Sequence, residues 1–239
     1  MSTAYDKWLA FWVVDDRLLS EWDMPGVSSV GVFIDNAADH LRSFIQLIPS
    51  GRRFWRARAG YVGQSNWDCR PFPSGEMGSN PDYPASRLNR SGEAILYCAE
   101  DEKTAISEIR PGRGYICTTC ELILVKEVEI LDLATAPENI NPFTCVNLSW
   151  RLDLRRIGRN LSALIGEPMS RGEDRALYRK TQLFGHIVRA MGLKGIRFLS
   201  SLNSPCGVNF ALFDPTLVAF SSTSLVKVTT AEIAYETLA

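Results

Sequence analysis

The stretch SRLNRSGEAILYCAEDEKTAISEIRP, residues 86–111, sets three chemically capable side chains around one short apolar run. Arg87 precedes a polar turn, Tyr97 lies near the end of the apolar run, and Glu108 sits on the helix expected next. A guanidinium presents forked donors that suit phosphate or carboxylate. An aromatic ring offers a stacking face with a polar tip. A carboxylate at the edge of a helix's apolar face is partly withdrawn from water, where it can hold hydroxyls or stabilise developing positive charge. Together they would suit a ligand that is both anionic and aromatic. Apart, they are a boundary Glu paired with a surface Arg and a core Tyr with a satisfied hydroxyl. From pattern alone the second description is the default.

The elements that must position them can be read from periodicity. Ala94–Ala99 is a continuous apolar run, the mark of a buried strand. Glu102–Arg110 reads as a short helix stopped by Pro111–Gly112. With Ala105, Ile106 and Ile109 toward the core, Glu108 falls about 60° from Ala105 at roughly 100° per residue, on the rim of the buried face. Upstream, FWRARAG after PSGRR reads as a strand, and residues 69–86 are rich in Pro, Gly and Ser and read as loop. So long a loop in a compact domain usually lines a site or is disordered. Downstream, Tyr115–Leu133 is β-rich and predicts two strands. Helices are expected around 148–164 and 173–191, the second with Leu177, Phe184, Ile187, Val188 and Met191 on one stripe. GIRFLS, VNFALF and a stretch at 217–229 supply further strands. No internal repeat is evident. The class is α+β, with mixed or antiparallel sheets flanked by helices.

Residues 1–50 read as a mostly helical N-terminal extension rich in Trp (Trp8, Trp12, Trp22), followed by a domain over 51–239. Its second helix is expected from Asn36 to Leu47, with Ala37, Leu41, Phe44, Ile45 and Ile48 at helical spacing. The run WLAFWVV (8–14), flanked by Asp6 and Lys7 and by Asp15 and Asp16, is too short to span a bilayer and has no basic n-region or small-residue cleavage site, so the chain reads as cytosolic.

Other residue groups carry less. CTTC (117–120) has metal-ligand spacing, but no second pair accompanies it, and on a strand Cys117 and Cys120 would face opposite sides. Structural thiols are the better reading, and no metal is expected. His40 and His186 fall on separate expected helices with no nucleophile nearby and are read as structural. Ser200 and Ser201 close a strand before a turn, where hydroxyls serve either a site or plain turn chemistry. There is no GxSxG, GxGxxG or GxxxxGK[ST]. The chain has 239 residues, 46% apolar and 22% charged, with a formal net charge of −1. That balance gives no global field toward nucleic acid or anionic membranes. The six scattered cysteines do not suggest a disulfide framework.

The central pattern resembles the RES domain, a family named for its Arg, Glu and Ser. SRLNRSGEAILYCAEDEKTAISE carries the Arg, the Leu-Tyr strand and the Thr-Ala-x-x-Glu helix. FWRAR, YRKTQ and GIRFLSS…GVNFALFD follow in the family's order, and the likeness covers about residues 51–215. Where the family usually has Gly before the Arg and an aromatic after it, this chain has Ser86 and Leu88. The resemblance implies a fold similar to ADP-ribosyltransferase toxins and an enzyme that cleaves the nicotinamide–ribose bond of NAD⁺, by glycohydrolysis or phosphorolysis. It implies Glu108 as the catalytic carboxylate and Arg87, with Arg56, on the pyrophosphate. It further implies Tyr97 stacked on nicotinamide and Ser200 bonded to the nicotinamide side. NAD⁺ is then the substrate, and a cognate antitoxin protein the expected partner, as for the toxin of a bacterial toxin–antitoxin pair acting in the cytoplasm or as a secreted effector. ADP-ribosyl transfer to a protein, or a silent NAD- or partner-binding module, are the alternatives.

Overall fold

The structure, a computed structural model, describes residues 41–63, 68–80, 82–135, 148–166, 178–203 and 207–231. The described residues form an α+β fold on one eight-stranded sheet. In chain order the strands are β1 (Ile45–Ile48), β2 (Arg53–Ala59), β3 (Leu96–Ala99), β4 (Ile116–Leu124), β5 (Val128–Asp132), β6 (Gly195–Leu199), β7 (Val208–Leu212) and β8 (Val218–Lys227). The helices are α1 (Glu102–Glu108), α2 (Leu148–Gly166) and α3 (Arg179–Ala190). Across the sheet the order is β1-β5-β6-β7-β3-β2-β4-β8. Every pairing is antiparallel except β5 with β6.

Strand alternation divides the core into two layers. On one face Leu131, Ile196, Phe198 and Ala211 pack with Phe184, Ile187 and Val188 of α3 and Leu161 and Ile165 of α2. On the other, Phe54, Cys98, Leu122, Ile130 and Phe210 pack with Met77 from the loop that follows β2. The central strand β7, VNFAL, is buried at every position, as expected of a strand covered on both sides. The Pro- and Gly-rich segment expected to be mostly loop is loop among its described residues, and it is tied down at several points. Its Ser74–Glu76 stretch forms a 3₁₀ turn, the Phe72 N–H donates to Thr118 Oγ1, and Ser79 Oγ donates to the Ile95 carbonyl.

Two expectations need correcting. Of the helix predicted from Asn36 to Leu47, residues 36–40 lie outside the described residues, Arg42–Phe44 form a 3₁₀ turn, and Ile45–Ile48 become β1, paired with β5 from Ile45↔Leu131 to Ile48↔Val128. Leu41 and Phe44 enter the core, so this part of the expected extension belongs to the sheet-bearing domain. The spacing of residues 41, 44, 45 and 48 suits a helix, but it also suits a turn followed by an edge strand, and the open edge of β5 decides between them. On α1 the fully buried positions are Thr104 and Ala105, whereas Ile106 and Ile109 are only half-buried. The extension's Trp residues, His40, Leu177, Cys145 and Cys206 lie outside the described residues.

The sheet is interrupted between β2 and β3. β2 pairs with β4 over seven positions but with β3 only at Trp55↔Ala99. Beyond that single pair the two strands part, and the Arg56 side chain fills the gap, donating from Nη1 to the Tyr97 carbonyl and from Nη2 to the Gly78 carbonyl at 3.3 Å. Near the closed end of the break, Arg197 of β6 donates to both carboxylate oxygens of buried Asp132 and to Glu100, which also pairs with Arg52. This network ties β5, β6 and the end of β3 together immediately before α1.

α3 lies so close to the loop before β3 that a Cβ at Gly185 would stand 2.5 Å from the Leu88 carbonyl oxygen. The obstacle is backbone, so it cannot rotate aside. Gly185→Ala is expected to destabilise the fold by about 1–3 kcal/mol, the usual cost of overpacking. Thermal denaturation should show this as a melting temperature lower by about 3–10 °C.

Candidate active site

The parting of β2 and β3 opens a cleft of about 380 Å³ on the helical face of the sheet. Its floor is one row of residues in register across four strands: Trp55 opposite Ala99, Ala99 opposite Asn209, and Asn209 opposite Phe198. One wall is α1, with Ala105, Glu108 and Ile109. The lining also includes the loop carrying Ser86 and Arg87, together with Tyr178 at the start of α3. The small side chains of Ala57, Ala99 and Ala105 belong to the same lining.

Arg87 is placed by a built loop. The buried Asn89 side chain donates to the carbonyls of Pro84 and Arg90 at 3.1 and 2.9 Å. The hydroxyl of Tyr97 accepts the Leu88 N–H at 3.1 Å and lies 2.8 Å from Ser86 Oγ, which donates to Asn89 Oδ1 at 2.6 Å. Proton order follows from these contacts: Ser86 gives its only hydrogen to Asn89, so Tyr97 donates to Ser86. Burial pushes the Tyr97 phenol above its usual range, with the Ser86 and Leu88 contacts opposing. Gln182 of α3 fixes the same loop, donating to the Ser86 carbonyl at 2.9 Å. Leu88 points into the core and is fully buried. Arg87 itself donates from Nη1 to the Ile165 carbonyl in the last turn of α2, at 2.9 Å. A cation is favoured at that end of a helix, where carbonyls lack partners.

Glu108 lines the same cleft as Arg87. Its Oε1 accepts from Ser200 Oγ at 2.7 Å and from Asn209 Nδ2 at 2.6 Å. Ser200 Oγ in turn accepts the N–H groups of Leu202 and Asn203, both at 3.2 Å. Its acceptor sites are thus filled and its hydrogen is directed at Glu108. α1 starts from the same region: Asp101 caps it by accepting the Thr104 N–H and hydroxyl, and Asn203 donates to Thr104 Oγ1 at 2.8 Å. The two serines therefore differ in role. Ser200 is buried and bonded to the carboxylate, while Ser201 donates to the Gly166 carbonyl at the end of α2.

Of the residues singled out from sequence, Arg56, Arg87, Tyr97 and Glu108 all line this one cleft, and Ser200 stands behind Glu108. Arg56 bridges the two strands through backbone carbonyls, its Nε is buried without a hydrogen-bond partner, and burial lowers its pKa. Arg58 lies outside the cleft lining, stacked over Phe72 and bonded to the Glu76 carbonyl. Cys117 and Cys120 are buried free thiols. Cys98 also lines the cleft, and burial pushes its thiol up to about 12, so it is protonated and unreactive near neutral pH. Sequence reasoning missed Trp55, Tyr178, Phe198 and Asn209. Asn209 had a visible signal, an amide inside the apolar strand VNFAL.

Residues 53–231, spanning β2 to the end of the described chain, match the RES domain family. The chain belongs to the RES domain family. A chain in the crystal structure of the M. tuberculosis MbcT–MbcA toxin–antitoxin complex is similar over 80% of this chain and 91% of that one, at 11% sequence identity and a TM-score of 0.44. No curated protein matches the sequence. In this RES domain, the Ser before the cleft Arg takes part in holding Tyr97, and the Leu after it packs in the core.

Removing the Tyr97 hydroxyl tests whether this loop is held as described. Tyr97→Phe keeps the ring but strips the acceptor from the Leu88 N–H and the donor from Ser86. An unsatisfied buried group costs about 1–3 kcal/mol. Chemical denaturation should show a loss of that size with an unchanged denaturant slope.

Proposed function

We propose that this RES domain cleaves the nicotinamide–ribose bond of NAD⁺. The observation that carries the reading is Glu108: a half-buried carboxylate in the cleft lining, with Oε1 held by two donors, in the same cleft as Arg87 and the row from Trp55 to Phe198. Nicotinamide is planar and would lie along that floor near Tyr97. The pyrophosphate is anionic and would be gripped by Arg87. When the C1′–N bond breaks, its electron pair neutralises the pyridinium ring and leaves positive charge on the ribose. A carboxylate within reach stabilises that charge as it develops and can hold the ribose hydroxyls. The roles of Arg56 and Ser200 shift from ligand contact to support. Arg56 holds the cleft open by bridging β2 and β3, and Ser200 acts through Glu108.

Depletion of NAD⁺ would make the protein a toxin or an effector, and a cognate antitoxin would be its expected partner. That assignment of role rests on family membership.

Purified protein incubated with NAD⁺ should release free nicotinamide. Glu108→Gln should remain folded and lower that release by about 10²-fold or more, the scale for losing a transition-state electrostatic partner. Near-normal turnover in a folded Gln variant would sink the assignment.

The acceptor is proposed to be inorganic phosphate. It is anionic near neutral pH and needs no general base to activate it. Added phosphate should accelerate NAD⁺ loss and yield ADP-ribose 1″-phosphate. Mass spectrometry finding ADP-ribose alone at saturating phosphate would leave hydrolysis as the reaction.

A further inference from the structure

We infer that Asn209 is a positioning residue for Glu108, sharing with Ser200 the task of occupying Oε1 so that Oε2 is the oxygen presented to the ligand. The inference rests on Glu108 as the reactive carboxylate proposed above. It starts from an oddity of composition. β7 is the central, fully buried strand, its other residues are Val, Phe, Ala and Leu, and Asn209 is only 5% exposed. Its neighbours in the cross-strand row are Ala99 and Phe198. An apolar side chain there would complete the floor without the cost of burying an amide. The side-chain hydrogen bond that Asn209 makes is to Glu108, and it is the shorter of the two on that carboxylate.

Geometry gives this bond a purpose. The torsion that turns a Glu carboxylate about its last bond is broad, so one donor leaves the second oxygen free to sweep. Ser200 approaches from the turn after β6 and Asn209 from the sheet floor, and both donate to Oε1. Two donors from different elements fix the carboxylate plane. Asn209 suits this position because a neutral amide donates without adding a charge that would compete for the ligand. The Ser200 hydrogen is already aimed by its two backbone donors, so each contact is set independently of the other.

The test is a double-mutant cycle. Asn209→Leu keeps the approximate volume and removes the donor, and Asn209→Ala is the second variant should Leu not fold. Each is made in wild type and in Glu108→Gln, and kcat and KM for nicotinamide release are measured separately. A positioning role predicts that kcat falls about 10- to 100-fold, the scale for misplacing a reactive group by about 1 Å, with KM little changed. In the Glu108→Gln background the same change should cost less than about threefold, because a residue acting through Glu108 has nothing left to position. Multiplying effects in the double mutant, or a raised KM with unchanged kcat, would overturn the inference. Should wild type release no nicotinamide, the NAD⁺ reading fails while the Asn209 contact stays testable. The same four proteins then give a thermal-unfolding cycle, in which non-additive melting shifts support the coupling and additive shifts remove it.

Discussion

The site depends on a single pairing, Trp55 with Ala99, at which β2 and β3 touch before they part. A sheet that stayed closed there would have no cleft. A sheet that lost the pair would have no floor, because Trp55 would leave the row it shares with Ala99, Asn209 and Phe198. The parting exposes backbone groups that a normal ladder would satisfy, and Arg56 meets that need at the Tyr97 carbonyl of β3, with a second bond to the Gly78 carbonyl in the intervening loop. A guanidinium suits the position because it stays charged even when burial lowers its pKa, and its donors spread in a plane. Met77 on one face and Leu88 on the other tie the segments beside the break into the two core layers.

Around that opening the chain uses one local strategy twice. Arg87 is set by a loop whose hydroxyls and amide form a directed chain, from the Leu88 N–H to Tyr97 to Ser86 to Asn89. Glu108 is set by a turn whose backbone N–H groups direct Ser200. In both cases the charged group meets the cleft while neutral groups behind it have their donors and acceptors assigned. The end of α2 links the two sides, since its last carbonyls accept from Arg87 and from Ser201.

Much of this was legible in the sequence. β3, α1, the pair β4 and β5, and the helix stripe through Phe184, Ile187 and Val188 follow from apolar periodicity, which reports burial directly. The convergence of Arg87, Tyr97 and Glu108 was suggested by a motif whose residues are close in sequence. What was hidden depends on register. Nothing in FWRAR reveals that Trp55 stands beside Ala99, or that Ala99 stands beside Asn209, because strand order is set by long-range packing. The edge strand β1 was hidden for a related reason: its apolar spacing fits two local structures, and the partner that chooses between them is β5, over eighty residues away in sequence.

The place of β7 in the sheet has a consequence for how the protein is made. β7 lies between β3 and β6, yet it follows both in the chain, so the centre of the sheet is filled by residues 208–212 only after both neighbours have been made. Until then β3 and β6 have no shared neighbour, Glu108 lacks Asn209, and the cleft floor is missing its middle. Strands paired at such separation form slowly, since chain ends must meet before contact rewards them. A nascent chain on the ribosome therefore carries Arg87 and Glu108 well before it has β7, and the cleft is complete only once that strand is inserted between β3 and β6.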